Sequence, residues 1–204
     1  MTFQIIEGPN GSGKTSLINK FKEKTNFSVL QNPGTTELGK LLRPICRGEN
    51  QWSTLHDSVR SLLFSAIRND LYDNIKNKPV NYIVDRWWMS TFIYQILIAG
   101  LPIANLEATI YPGEKIDKVI LLDADDDILI KRVNSERESN KSHSHDLWTN
   151  EEMIKKVAAG YRTPLRYYLE YKKIPYQIIN TTYMDSEQVY SIAKNILNKD
   201  CDVK

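Results

Sequence analysis

Short apolar runs alternate along this chain with longer stretches in which apolar residues recur every three or four positions. The short runs, Phe3–Glu7, Ser28–Gln31, Tyr82–Asp85, Lys118–Asp123 and Tyr176–Ile179, predict strands that are covered on both faces. The longer stretches predict helices at about 14–24, 36–46, 54–77, 89–98, 125–133, 151–171 and 186–198. A helix between two strands is the crossover that lets them pair in parallel. The expectation is an α/β fold, a doubly wound five-stranded parallel sheet, with residues 1–204 forming one domain. Periodicity fails over residues 134–150, where Ser, Asn, His, Glu and Lys predict a solvated loop able to serve as a lid.

Composition narrows the function classes. With 41% hydrophobic and 25% charged residues the 204-residue chain is neither disordered nor fibrous. Its 27 Lys+Arg against 25 Asp+Glu leave a net charge of +2, so no global field recruits nucleic acid or an anionic membrane. An anionic ligand must be held by local clusters. Residues 87–106 carry no charge, but Ser90, Thr91, Gln95, Gly100, Pro102 and Asn105 break them too often for a lipid-facing span. The opening residues MTFQIIEGPNG read as a buried strand rather than a secretory leader. Cys46 and Cys201 stand without a CxxC or His-rich partner motif, which argues against a disulfide framework or structural zinc and for a reducing, cytoplasmic location.

The strongest chemical signal lies between the first strand and the first helix. Gly8-Pro9-Asn10-Gly11-Ser12-Gly13-Lys14-Thr15, followed by Ser16, matches the Walker A pattern. Its glycines let backbone N–H groups wrap phosphate oxygens at a helix N-terminus, so Gly8 to Ser16 form the candidate ATP site. Lys14 is expected on the β- and γ-phosphates, and the Thr15 hydroxyl on Mg²⁺. A small GTPase would also need an Asn-Lys-x-Asp base-reading motif, and the nearest string, Asn77-Lys78-Pro79-Val80, lacks the Asp.

Phosphoryl transfer between two polyanions needs cations outside this loop. Arg43, Arg68, Arg86, Arg132 and Arg137 are the candidates. Arg86 follows the strand Tyr82–Asp85 and so sits at a strand's C-terminal edge, where open α/β sheets bind ligands. Asp85 beside it is a candidate to orient Mg²⁺ or its waters.

Four blocks in order then carry a resemblance. The string from Asp85 to Gln95, DRWWMSTFIYQ, resembles the DRY..ST.AYQ block of thymidylate kinases, and Leu62 to Arg68 resembles their LLFSA.R helix. Asn32 to Gly39 is similar to the family's REPGGT.LG loop, and Leu121 to Asp125 to its LLDVD strand. The resemblance implies phosphoryl transfer from ATP to dTMP with Mg²⁺, in a homodimer built from helices packed side by side. It also implies that Phe64 stacks on the pyrimidine, Arg68 reads a base carbonyl, and Arg43 and Arg86 hold the acceptor phosphate beside Pro33. Tyr94 would press on the sugar and favour deoxyribose, with Ser90 and Gln95 lining the base pocket.

The chain departs from the family pattern at Asn10, where a carboxylate that contacts the acceptor sugar is usual, and at Gln31-Asn32, which replace an Arg-Glu pair. These changes open the acceptor site to a modified deoxypyrimidine monophosphate. Positions 9, 10 and 12 carry no arginine, so the transition-state cation is expected from the lid, as Arg137 or Arg132. His143 and His145 read as solvated loop, and the Asp123–Asp127 run as helix capping, since Ile128 stands where a calcium loop needs Gly. Two other functions fit the same Walker A motif: a deoxynucleoside kinase, whose acceptor has no phosphate, and a non-catalytic nucleotide-binding regulator.

Overall fold

In a computed structural model that describes residues 2–48, 54–139 and 150–198, five parallel strands form one sheet in the order β2-β3-β1-β4-β5. They are β1 (Phe3–Glu7), β2 (Ser28–Gln31), β3 (Tyr82–Asp85), β4 (Lys118–Asp123) and β5 (Tyr176–Asn180). β1 lies at the centre, with Ile5 opposite Val84 on one side and Val119 on the other. The chain therefore winds outward from β1 in both directions, the doubly wound arrangement expected from the alternating pattern.

Alternation along each strand explains why helices cover both faces. Phe3 and Ile5 of β1, Val84 of β3 and Val119 and Leu121 of β4 share one core with Leu71, Trp87, Trp88, Met89, Ile93, Tyr161 and Leu165. Their neighbours Ile6, Ile83, Ile120 and Leu122 share the other with Leu17, Phe21, Val189 and Leu197. On the second face lie α1 (Lys14–Lys24) and α9 (Ser186–Asn198), and on the first α3 (Asp57–Ile75), α7 (Glu151–Arg162) and α8 (Pro164–Tyr171). Phe3 meets Trp87 edge to face, with ring centroids 5.0 Å apart, which locks the residue after Arg86 onto the central strand.

Several helices differ from the expected ones for local reasons. The stretch read as one helix over 151–171 is two, because Pro164 lacks the N–H that would continue the ladder and instead starts α8. The helix read over 89–98 begins as α4 (Trp88–Thr91) and continues as a π-helical stretch, Phe92–Ile98. Such a stretch adds about a residue per turn and redirects the side chains within it, here Tyr94 and Gln95. A short α5 (Ile103–Glu107) follows it, where the periodicity predicted no helix. α2 (Glu37–Arg47) is capped by Thr36, whose side chain accepts from the Gly39 N–H.

The break at Asn134 is corrected: α6 runs from Asp126 to Ser139, so residues 134–139 of the expected lid are helix. Its charged residues pay little for helical form when they face solvent, and apolar periodicity alone could not register them. Residues 140–149, with His143, His145 and Trp148, lie outside the described residues, as does Cys201. Among the described residues no helix is long and apolar enough to cross a membrane.

Candidate active site

The Walker A loop joins the buried end of β1 to α1. Gly11 and Gly13 adopt positive φ of 79° and 91°, which keeps the loop's peptides turned inward. Gly13 caps α1 with no side-chain hydrogen bond, so the first-turn N–H groups are left to an anion. The Nζ of Lys14 donates to the Pro9 carbonyl at 2.6 Å and lies within 3.5 Å of the Ser12 hydroxyl. Burial, followed by the positive charge of Arg86, pulls the Lys14 pKa from 10.5 down to about 7. The lysine thus sits in a dry, cationic setting that a polyphosphate would relieve.

Arg86 leaves β3 in a left-handed conformation, φ 68°, with its N–H held by the Ile6 carbonyl at 3.1 Å. Its guanidinium spans two groups: Nη2 donates to Asn10 Oδ1 of the Walker A loop at 2.9 Å and Nη1 to the Ser90 hydroxyl at 3.2 Å. Burial opposes its charge, but Tyr94, Tyr161, Glu7 and Asp85 outweigh that cost and hold its pKa above the ordinary guanidinium value. Asp85 contributes a buried Oδ1 with no hydrogen-bond partner among the described residues. Arg43 of α2 donates to the Pro33 carbonyl from the other wall.

One groove of about 860 Å³ gathers nearly all of these groups. Asn10, Gly11, Ser12, Gly13, Lys14, Thr15 and Ser16 form its floor, and Pro33, Arg43, Phe64, Asp85, Arg86, Ser90, Tyr94 and Gln95 one end. Arg132 and Arg137 stand at the other side. They differ in what they touch. Arg132 donates to the Gly11 carbonyl at 3.2 Å and to the Thr181 hydroxyl and carbonyl at 3.0 and 2.9 Å, tying the phosphate loop to the end of β5. Arg137, near the end of α6, is exposed.

Gly8, Pro9 and Arg68 do not line the groove. Gly8 packs under it, where a Cβ would overlap the Leu122 carbonyl. Arg68 is completely buried one turn beyond Phe64, donating to the Ser65 hydroxyl at 3.1 Å and the Thr109 carbonyl at 3.3 Å, with Nε and Nη1 unpartnered among the described residues. Desolvation lowers its pKa to about 10, against the opposing pull of Glu114.

Sequence reasoning overlooked Glu7, Arg47, Arg60 and Tyr161. Arg47 and Arg60 add to the cations lining the groove, and Arg60 is buried with its guanidinium on the Cys46 and Leu55 carbonyls. Glu7 is fully buried at the end of β1 and accepts from Tyr161 Oη at 2.8 Å. A charged residue closing an otherwise apolar central strand was the signal available for it.

Comparison with known proteins gives a consistent result. A family model described as thymidylate kinase matches residues 6–182. A protein from Methanococcus aeolicus described as a probable thymidylate kinase is 30% identical over 205 residues, spanning 99% of this chain and 97% of that one. A thymidylate kinase from Malacoplasma penetrans is 26% identical over 182 residues, covering 81% and 83%. The crystal structure of thymidylate kinase from Ehrlichia chaffeensis shares the fold, with a TM-score of 0.68 at 19% identity and coverage of 96% and 98%.

Proposed function

The chain belongs to the thymidylate kinase family, and from that premise we propose how its groove transfers the γ-phosphoryl of ATP to dTMP, yielding dTDP and ADP. An oxygen of the acceptor phosphate attacks the γ-phosphorus in line, and the bond to the β,γ-bridging oxygen breaks as ADP leaves. The observation that carries the reading is the bond from Arg86 Nη2 to Asn10 Oδ1 at 2.9 Å, which makes the acceptor cation and the phosphate loop one continuous site.

Within that site Lys14 takes the β- and γ-phosphates and Arg86 the acceptor phosphate, assisted by Arg43. Phe64 stacks on the pyrimidine, while Tyr94, Ser90 and Gln95 enclose sugar and base. Arg68 reaches the base only by giving up its bonds to Ser65 and Thr109. Mg²⁺ fits the hard oxygens of Thr15 and Asp85, whose buried Oδ1 has no partner among the described residues. When bound it neutralises charge on the bridging phosphates. Arg137 supplies the cation that meets charge developing between donor and acceptor. The whole chain acts as one kinase domain. A homodimer is supported by Leu38 and Leu41 of α2 and Val59 and Leu62 of α3, four apolar side chains exposed on packed helices. A cytoplasmic location suits the free Cys46 thiol.

The test is an acceptor panel with ATP and Mg²⁺: dTMP, thymidine, dGMP, UMP and a 5-substituted dCMP, read by ADP formation. dTMP is expected to give the highest kcat/KM. Thymidine as the better acceptor would make the chain a nucleoside kinase, and ADP formation independent of acceptor would overturn the assignment of Arg86. A 5-substituted acceptor ahead of dTMP would make the chain a kinase for a modified deoxypyrimidine monophosphate.

A further inference from the structure

Glu7 is the one carboxylate on the central strand, and it is 0% exposed. A buried carboxylate persists only where donors converge on it. Four groups do so: Trp87 N–H at 2.7 Å and Ser90 N–H at 3.2 Å on Oε1, Tyr161 O–H at 2.8 Å on Oε2, and the Ser90 hydroxyl, 3.0 and 3.2 Å from the two oxygens. Trp87 directly follows Arg86, and Ser90 lies four residues on. The carboxylate therefore grips the chain on the far side of Arg86, while the Ile6 carbonyl holds the Arg86 N–H on the near side. Between these two holds the arginine keeps its left-handed φ of 68°, a conformation that a non-glycine residue retains only when its surroundings impose it.

The contact reaches the side chain as well. Ser90 Oγ accepts from Arg86 Nη1 at 3.2 Å, and with that lone pair engaged its own proton points to Glu7. We propose that Glu7 is a positioning residue that aims the Arg86 guanidinium at the acceptor phosphate through the Ser90 hydroxyl and the Trp87 N–H. The proposal rests on the assignment of Arg86 to that phosphate. An amide at position 7 would fill the same space but present two N–H groups where Ser90 and Tyr161 both donate. At least one of these contacts would have to reverse or break.

Steady-state kinetics on the full chain test this with Glu7→Gln, Ser90→Ala, the double variant and Arg86→Ala, each first compared with wild type for thermal unfolding. Glu7→Gln is expected to raise the dTMP KM about tenfold and leave the ATP KM within about twofold. The double variant is expected to be no worse than the more impaired single one, because both interrupt one relay. A dTMP KM unchanged by Glu7→Gln overturns the proposal. So does an equal rise in both KM values, which would mark Glu7 as a support of the phosphate loop, and so do losses that multiply in the double variant. If Glu7→Gln fails to fold, Ser90→Ala alone decides, since an unchanged dTMP KM there removes the relay. If Arg86→Ala leaves dTMP turnover intact, the failure belongs to the assignment of Arg86 and not to Glu7.

Discussion

The two ends of the groove are built in different ways. The proposed donor end is one run of consecutive residues, Asn10 to Ser16, in which backbone N–H groups and a helix N-terminus would face the ligand. The proposed acceptor end draws Pro33, Arg43, Phe64, Arg86 and Tyr94 from five separate segments and would face the ligand with side chains. A backbone cradle needs glycines and one cation to be complete, whereas a side-chain cradle needs a buried scaffold to aim each group. Glu7 is buried behind the acceptor end, whereas Arg132 braces the phosphate loop from the groove wall.

If the donor end depends on its single cation, Lys14→Ala should produce the largest loss, on the order of a thousandfold in kcat with the fold intact. Activity within a few-fold of wild type would place the phosphate-binding charge elsewhere. Next in size, Gly8→Ala should cost about 3 kcal/mol in urea unfolding, because a Cβ there meets the Leu122 backbone and the residue has φ +149°. Gly160→Ala is the counterpart behind the acceptor end. Its Cβ would meet side chains rather than backbone, Ile93 Cδ1 at 3.0 Å and Leu97 Cδ1 at 3.5 Å, and a shift within about 1 kcal/mol is expected. Equal costs would mean that the backbone close to the phosphates is no more constrained than a helix face.

The two arginines at the rim sharpen the contrast further. Arg137→Ala should lower kcat about a hundredfold with little change in dTMP KM, since a cation that meets the substrates chiefly in the transition state leaves ground-state binding alone. Arg132→Ala should instead cost about 2 kcal/mol of stability, through the lost bonds to Gly11 and Thr181. If Arg132→Ala abolishes turnover and Arg137→Ala does not, the transition-state cation lies one turn earlier on α6.

A further contrast concerns pH. Burial, then Arg86, lowers Lys14 to about 7 in the folded chain, against 10.5 when unfolded. Between those values the unfolded chain binds a proton that the folded one does not, so stability from this group rises with pH and levels off below about 7. The slope cannot exceed about 1.4 kcal/mol per pH unit. Thermal unfolding of wild type and Lys14→Met from pH 7 to 9.5 should converge as pH rises. Parallel curves would show that Lys14 is charged throughout.

Legibility followed the same division. The Walker A loop, all five strands and the position of Arg86 at a strand end could be read directly, because each is a local pattern imposed by backbone geometry and burial on both faces. The resemblance to thymidylate kinases rested on blocks of that kind and agrees with the family match. The extension of α6 to Ser139 could not be read, since a solvated helix carries no apolar stripe, and the π-helical turn at Phe92–Ile98 leaves the apolar count unchanged.

By itself, then, the sequence determined a doubly wound sheet with a phosphate loop after its first strand, since short-range periodicity and glycine spacing act within a few residues. Tertiary structure alone decided that Arg68 turns away from the groove and Arg132 ties the phosphate loop to β5. It also set the Glu7 carboxylate behind Arg86, 79 positions along the chain from Glu7 itself. A guanidinium or carboxylate takes the direction of whatever donors and acceptors the packed elements bring within 3 Å or so, and those partners lie far away in sequence.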